Sequence, residues 1–269
     1  MKVILSRKGM DSKSGGMASP ILPDGTLFSL PIPDTTIGTA YKDLYYKGQS
    51  LERIICQLCP KFDFGKNPTC HLDPDIYDDI EGRTATDEWK PAFGQHGVSA
   101  VHLDKLGVGM GDIFLFYGMF QKTMVQPDKT LCFDRNAPIV HTIYGYMKVG
   151  EILREKQEIE RYFWHPHSVN QDRPNNRLYL PDTYSTFQYD DSLVLTKRGQ
   201  ENRRLWALPA FLGKGDISIS WQGDNRPTLK DGYAELNSAC RGQEFVVTAS
   251  TPKQERNLCD WVNRLIQNC

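Results

Sequence analysis

The sequence predicts an α+β fold: a mixed, mostly antiparallel sheet or partly open barrel with flanking helices and a C-terminal amphipathic helix. Three observations lead there. Ile113-Phe114-Leu115-Phe116-Tyr117-Gly118 is a continuously apolar and aromatic strand, the pattern of a strand buried on both faces. Shorter strand-like runs bounded by turn residues recur on either side of it. Residues 253–267 repeat apolar positions at helical spacing, with Leu258, Trp261, Val262 and Leu265 on one side. No repeat, low-complexity tract or linker interrupts the chain, so residues 1–269 read as a single domain.

Taken in order, Val3–Leu5 is a short strand that runs straight into a basic, Gly-rich turn over 6–16. Two proline-rich stretches, Ser19–Gly25 and Ser29–Asp34, read as extended chain with a turn at Asp24-Gly25, because proline fixes φ and removes a donor. Thr39–Cys59 carries apolar residues near helical spacing and predicts one helix or two. Residues 60–97 are polar and turn-rich. After the aromatic strand, 126–138 reads as a hairpin loop and Ile139–Val149 as the returning strand. Glu155–Tyr162 predicts a short helix that stops before a turn at His165-Pro166-His167. Leu178–Leu180, Leu193–Leu195, Ile217–Trp221 and Glu244–Thr248 predict further strands.

Composition narrows the function classes. With 32 basic and 33 acidic residues the net charge is -1, which excludes the strong basic excess of a bulk nucleic-acid binder. Nucleic-acid contact would need a local patch, and a free nucleotide fits equally well. No stretch approaches the roughly 20 apolar residues of a membrane helix, and the N-terminal apolar run is too short for a signal peptide. Seven irregularly spaced cysteines argue against a disulfide framework. A cytoplasmic location is the expectation.

Several segments can carry chemistry. Ser6-Arg7-Lys8-Gly9-Met10-Asp11-Ser12 sends cations, hydroxyls and glycines from a strand into a tight loop, which suits phosphate oxygens but matches neither nucleotide-loop signature; a solvated basic loop is the plainer reading. His71-Leu72-Asp73-Pro74-Asp75 can bind a divalent metal or divide acid and base roles, or be a surface turn. Cys56 and Cys59 with Cys70-His71 offer four zinc donors at a spacing shorter than zinc ribbons use, on an apparently apolar helix face. His165 and His167, two apart on extended chain, share a side and suit metal binding or proton transfer. Gln95-His96 lies in a polar loop, and Gln243-Glu244 pairs an amide with a carboxylate that can read a base edge. No metal site is assigned on these grounds, and the cofactor is left unknown.

Jointly the motifs are more specific. Ser6-Arg7-Lys8-Gly9-x-Asp11-Ser12, Ser19-Pro20-Ile21, Ser29-Leu30-Pro31-Ile32-Pro33-Asp34, His71-Leu72-Asp73-Pro74-Asp75, Gly111-Asp112-x-Phe114-Leu115-Phe116 and Arg241-Gly242-Gln243-Glu244-Phe245 resemble the nucleotide modification-associated domain 3 family over nearly the whole chain. The resemblance implies a bacterial or phage setting and a part in DNA base modification, without a reaction or catalytic residues. Its Gly-Asp entry into an aromatic strand is also similar to PUA-like readers of modified bases.

The leading expectation is an enzyme of group transfer on a nucleotide or nucleobase, free or within DNA. Asp11, Asp34, His71, Asp73 and Asp75 are its candidate catalytic groups, and Ser6, Arg7, Lys8, Gln95, Gln243 and Glu244 its candidate binding groups. The alternative is a non-catalytic reader with an aromatic cage. Convergence separates them: for an enzyme, at least three of Asp11, Asp34, His71, Asp73 and Gln243 should line one cleft. Asp73 is expected to be solvent-lined, so that Asp73→Asn would barely change the thermal midpoint.

Overall fold

The aromatic run becomes the spine of the molecule. In the computed structural model, which describes residues 1–35, 38–84, 89–169, 173–223, 225–240 and 244–267, it extends to a 13-residue strand, Ile113–Val125, whose first eight residues are all buried. Val140–Leu153 pairs with it antiparallel, and Val3–Arg7 pairs parallel on its other side. The main sheet then runs in the order Ile217–Ile219, Glu244–Ala249, Val3–Arg7, Ile113–Val125, Val140–Leu153, Arg177–Thr186, Phe93–Gln95. Ser19–Ile21 adds a second parallel pairing on Phe120–Lys122, and Leu131–Phe133 an antiparallel one on Thr123–Val125. The result is a mixed, mostly antiparallel sheet curled into a half-barrel, the shape that strand twist produces when a large sheet rolls toward closure.

Curling brings the ends of the sheet together. Phe93–Gln95 ends the strand order and Glu244–Ala249 is next to its other end, yet the Gln95 amide donates to the Glu244 carboxylate. Phe93 packs between them against Phe114, Phe116 and Tyr179. Both Val3–Arg7 and Ser19–Ile21 pair along one edge of the spine, so the chain between them must loop outward. Gly118 makes the room, because a Cβ there would stand 2.7 Å from the Lys8 carbonyl oxygen. The closing helix is Pro252–Ile266, capped by Thr251 and burying Leu258, Trp261, Val262 and Leu265.

Several local expectations needed tertiary correction. Within Thr39–Cys59 only Leu51–Leu58 is helical; Tyr45–Tyr46 and Gln49–Ser50 form a hairpin across Lys47-Gly48, both at positive φ. Cys56 is exposed rather than on the packed face of that helix, and the six described cysteines are free. Residues 126–138 are a tight turn followed by the short strand Leu131–Phe133. Leu193–Leu195 is not a strand: Asp191–Leu193 is a 3-10 turn. His165-Pro166-His167 leads into a short helix, Pro166–Val169, rather than extended chain, because proline is well placed in a first helical turn.

Behind the spine, Trp206 donates to His141 Nδ1 at 3.1 Å. Burial, reinforced by the charges of Arg7 and Arg203, pulls the His141 imidazole from 6.5 down to about 3. Between those pH values the unfolded chain binds a proton that the folded chain refuses, so stability should fall with pH by up to about 1.4 kcal/mol per unit. Urea midpoints from pH 4 to 7 should show a shallower acid loss in His141→Gln than in the wild type; equal slopes would refute the assignment.

Candidate active site

The first strand ends at Arg7, and the loop that follows overhangs a cleft of about 330 Å³. Gly9, at φ +80, lets the loop turn against Ser29 and Leu30. Asp11 shapes the same loop, one carboxylate oxygen accepting from the Lys13 and Ser14 amides at 2.7 and 2.9 Å. Across the cleft, Ile32–Pro33 pairs antiparallel with Thr69–His71, and this register sets Asp34 Oδ2 3.1 Å from His71 Nδ1. A cis peptide joins Asp73 to Pro74. Phe93–Gln95 forms the floor, with Gln95 and His96 on the lining.

Asp73 is the hub. Its side chain is 4% exposed, and Oδ1 accepts from the Gly94 amide at 2.7 Å with His165 Nε2 at 3.3 Å. Oδ2 faces His71 Nε2 at 3.8 Å and His167 Nε2 at 3.9 Å. Burial by itself would raise this carboxyl, but the adjacent His165 and His71 imidazoles and the Lys8 charge outweigh it and hold the group well below the usual range. Burial likewise pulls His71 down, and the Asp34 hydrogen bond with the nearby Asp73 carboxylate reverses that, leaving its pKa raised. His167 goes the other way: burial dominates and keeps its imidazole well below the ordinary value. The Asn176 amide donates to the His167 carbonyl while its oxygen lies 2.7 Å from Nδ1, so Nδ1 carries the proton and Nε2 is a bare acceptor. His167 packs directly on Gly94, where a Cβ would meet its ring at 2.2 Å.

Placement of the candidate residues is therefore uneven. Arg7, Lys8, Asp11, Asp34, His71, Asp73 and Gln95 come together on the cleft. Gln243 lies outside the described residues. Asp75 faces away: its buried carboxylate is held by an ion pair with Arg83 at 2.6 Å and accepts from Trp89 Nε1 at 2.7 Å, and those two partners draw it off the cleft. Ser6 and Glu244 are register partners buried beneath the cleft. Burial raises the Glu244 carboxyl, and the Lys8 ammonium 3.2 Å away offsets part of that. Lys8 also stands 4.4 Å over the Phe93 ring, so it is turned inward more than a phosphate-gripping lysine would be. Asp73 is likewise no solvent-lined carboxylate, and its replacement by Asn should cost stability as well as chemistry.

Sequence reasoning left His96, His165, His167, Arg173 and Asn176 outside the candidate set. The His165-Pro166-His167 motif was a usable signal, but nothing local connects it to residue 73. Arg173 lies 3.9 Å from Asp34 Oδ2 and adds a cation opposite the loop. A larger groove of about 630 Å³, lined by Tyr189, Val194, Arg198 and Glu201 among others, is open and apolar; the buried titratable cluster belongs to the smaller cleft.

Residues 2–248 match the description nucleotide modification associated domain 3. The chain belongs to that family. Neither the curated proteins nor the solved structures contain a match. Family membership ties the protein to nucleotide modification, and among the described residues the polar cleft lies where the ends of the matched fold meet.

The Lys8–Glu244 pair makes a stability test. Lys8→Met leaves a buried carboxylate without its cation and should cost about 3–5 kcal/mol. Lys8→Met with Glu244→Gln removes both charges and should recover much of that loss. Urea unfolding of the two singles and the double gives the coupling; additive effects would mean the pair does not interact.

Proposed function

We propose that this protein is an enzyme that modifies a nucleotide or nucleobase by group transfer, with its reacting centre at His71 and Asp73. One observation carries the reading: acid, base and cationic groups from separated segments converge on one cleft. Asp11, Asp34, His71, Asp73 and His167 share it with Arg7, Lys13 and Arg173. Charges are costly to gather unless they are paired or used, and Arg7, Lys13 and Arg173 leave the cleft mouth suited to phosphate oxygens. The phosphate would enter beneath the basic loop and orient the base or sugar toward the imidazole–carboxylate cluster.

The reader alternative has less support. Phe114, Phe116, Tyr117 and Tyr144 are buried in the core, and among the described residues the cleft lining contains no Phe, Tyr or Trp. A base held there would meet hydrogen-bonding and charged groups rather than an aromatic cage.

Calorimetry tests the reading. A nucleoside monophosphate should bind the wild type, and the corresponding nucleoside should bind far more weakly. Arg173→Ala and Arg7→Ala should each weaken the monophosphate about 10–100-fold, the worth of a charge-assisted hydrogen bond. Equal affinity for nucleoside and monophosphate, or indifference to both substitutions, would remove phosphate recognition from the proposal.

A further inference from the structure

The donors around Asp73 have a geometry that hydrogen bonding alone does not explain. One ligand atom from each of His71, Asp73 and His167 lies within 4.8 Å of the other two, and Asp73 Oδ2 faces the Nε2 of both imidazoles. Each residue is held by a partner on its far side. Asp34 holds His71 at Nδ1. Asn176 holds His167 at Nδ1, with the amide orientation set by its own bond to the His167 carbonyl. The Gly94 amide and His165 occupy the other oxygen of Asp73. The three side chains thus present ligand atoms to one another on the cleft wall, with their far sides already occupied.

We propose that His71, Asp73 and His167 form a binding site for one divalent first-row transition metal ion, with its remaining coordination positions open to the cleft. Two imidazoles and one carboxylate with free positions are the donor set that iron(II) and zinc(II) use in catalytic sites. Bonds of about 2.1 Å hold neighbouring ligand atoms roughly 3.0–3.4 Å apart. The two contacts to Asp73 Oδ2, 3.8 and 3.9 Å, need to close by less than about 1 Å to reach that spacing.

The surrounding shell matches what a metal site requires. Ligating histidines regularly donate their second nitrogen to a carboxylate or carbonyl oxygen, which fixes tautomer and ring orientation; Asp34 and Asn176 stand at those positions. Gly94 contributes twice, through its amide on Asp73 and through the missing Cβ that lets the His167 ring approach. None of the described cysteines joins the group. Cys70, beside His71, is buried with its thiol directed at the Thr39 carbonyl, and Cys56 and Cys59 sit on a different element. Four separate segments supply the ligands and their supports: Asp34, His71–Asp73, Gly94, and His165–Asn176.

The assignment rests on the nucleotide-modification reading for the purpose of the site, and on donor geometry alone for the ion. It can therefore be tested without a substrate. Chelator-treated full-length protein is titrated with zinc(II), cobalt(II) and, anaerobically, iron(II), following heat and absorbance. One equivalent should bind, and the cobalt(II) form should show ligand-field bands without thiolate charge-transfer absorption. Asp73→Asn and His167→Gln should each weaken binding at least about 100-fold, while Asn176→Ala should weaken it about 10–100-fold as an outer-shell change does. Cys56→Ser should leave affinity unchanged. Thermal melts accompany each variant, and the wild-type stoichiometry and cobalt(II) spectrum need no variant to fold. Absence of stoichiometric binding by the wild type, a thiolate-type spectrum, or one equivalent that survives both Asp73→Asn and His167→Gln overturns the site. Nucleoside monophosphate binding is measured on the same samples: metal without nucleotide affinity sinks only the nucleotide reading, and nucleotide affinity without metal sinks only the metal site.

Discussion

A buried carboxylate that must remain charged organises this molecule. Asp73 is nearly sealed from water, and an isolated ionised carboxylate at such depth is prohibitive without hydrogen bonds and opposing charge. The fold answers with a backbone amide from the sheet edge, imidazoles from two other segments and the Lys8 charge. Those demands explain otherwise unrelated features. Gly94 must lack a side chain, the Ile32–Pro33 pairing must deliver Asp34 to His71, and the Pro166–Val169 turn must dock against Phe93–Gln95.

The same requirement ties the site to the curl of the sheet. Gln95 sits on the edge strand and Glu244 near the opposite end of the strand order, and they meet with Lys8 only because the sheet rolls into a half-barrel. A buried pair of this kind contributes little net stability once desolvation is counted, though breaking it by removing one partner is expensive. Its value here is positional. Lys8 is held between Phe93 and Glu244, so the loop that follows it hangs over the cleft in one place and carries Lys13 to the mouth, beside Arg7 at the strand end. The curl of the sheet and the assembly of the site therefore rest on the same contacts.

Legibility in the sequence followed the range of the interactions involved. The strand Ile113–Val125 and the helix Pro252–Ile266 announce themselves through apolar period and length, which are local properties. The hairpin over Tyr45–Ser50 was hidden because its apolar residues happen to fall near helical spacing, while the Lys47-Gly48 turn that breaks the helix is a weak signal. Asp75 illustrates the opposite hazard. It shares a motif with Asp73 but turns to Arg83, a partner that spacing alone does not reveal. Arg173 and Asn176 carry no motif at all and matter only through Asp34 and His167.

By itself the sequence determined the fold class, the spine strand, the closing helix and the family, because apolar periodicity and motif order survive in one dimension. It also named Asp11, Asp34, His71 and Asp73 as groups able to do chemistry. Only the tertiary structure decided which of them meet, which is inert, and that His165 and His167 join them. The reason is physical: a titratable cluster is defined by distances of a few ångströms between atoms many residues apart, and those distances are set by strand register and sheet curl. Neither is encoded in any short stretch of the chain.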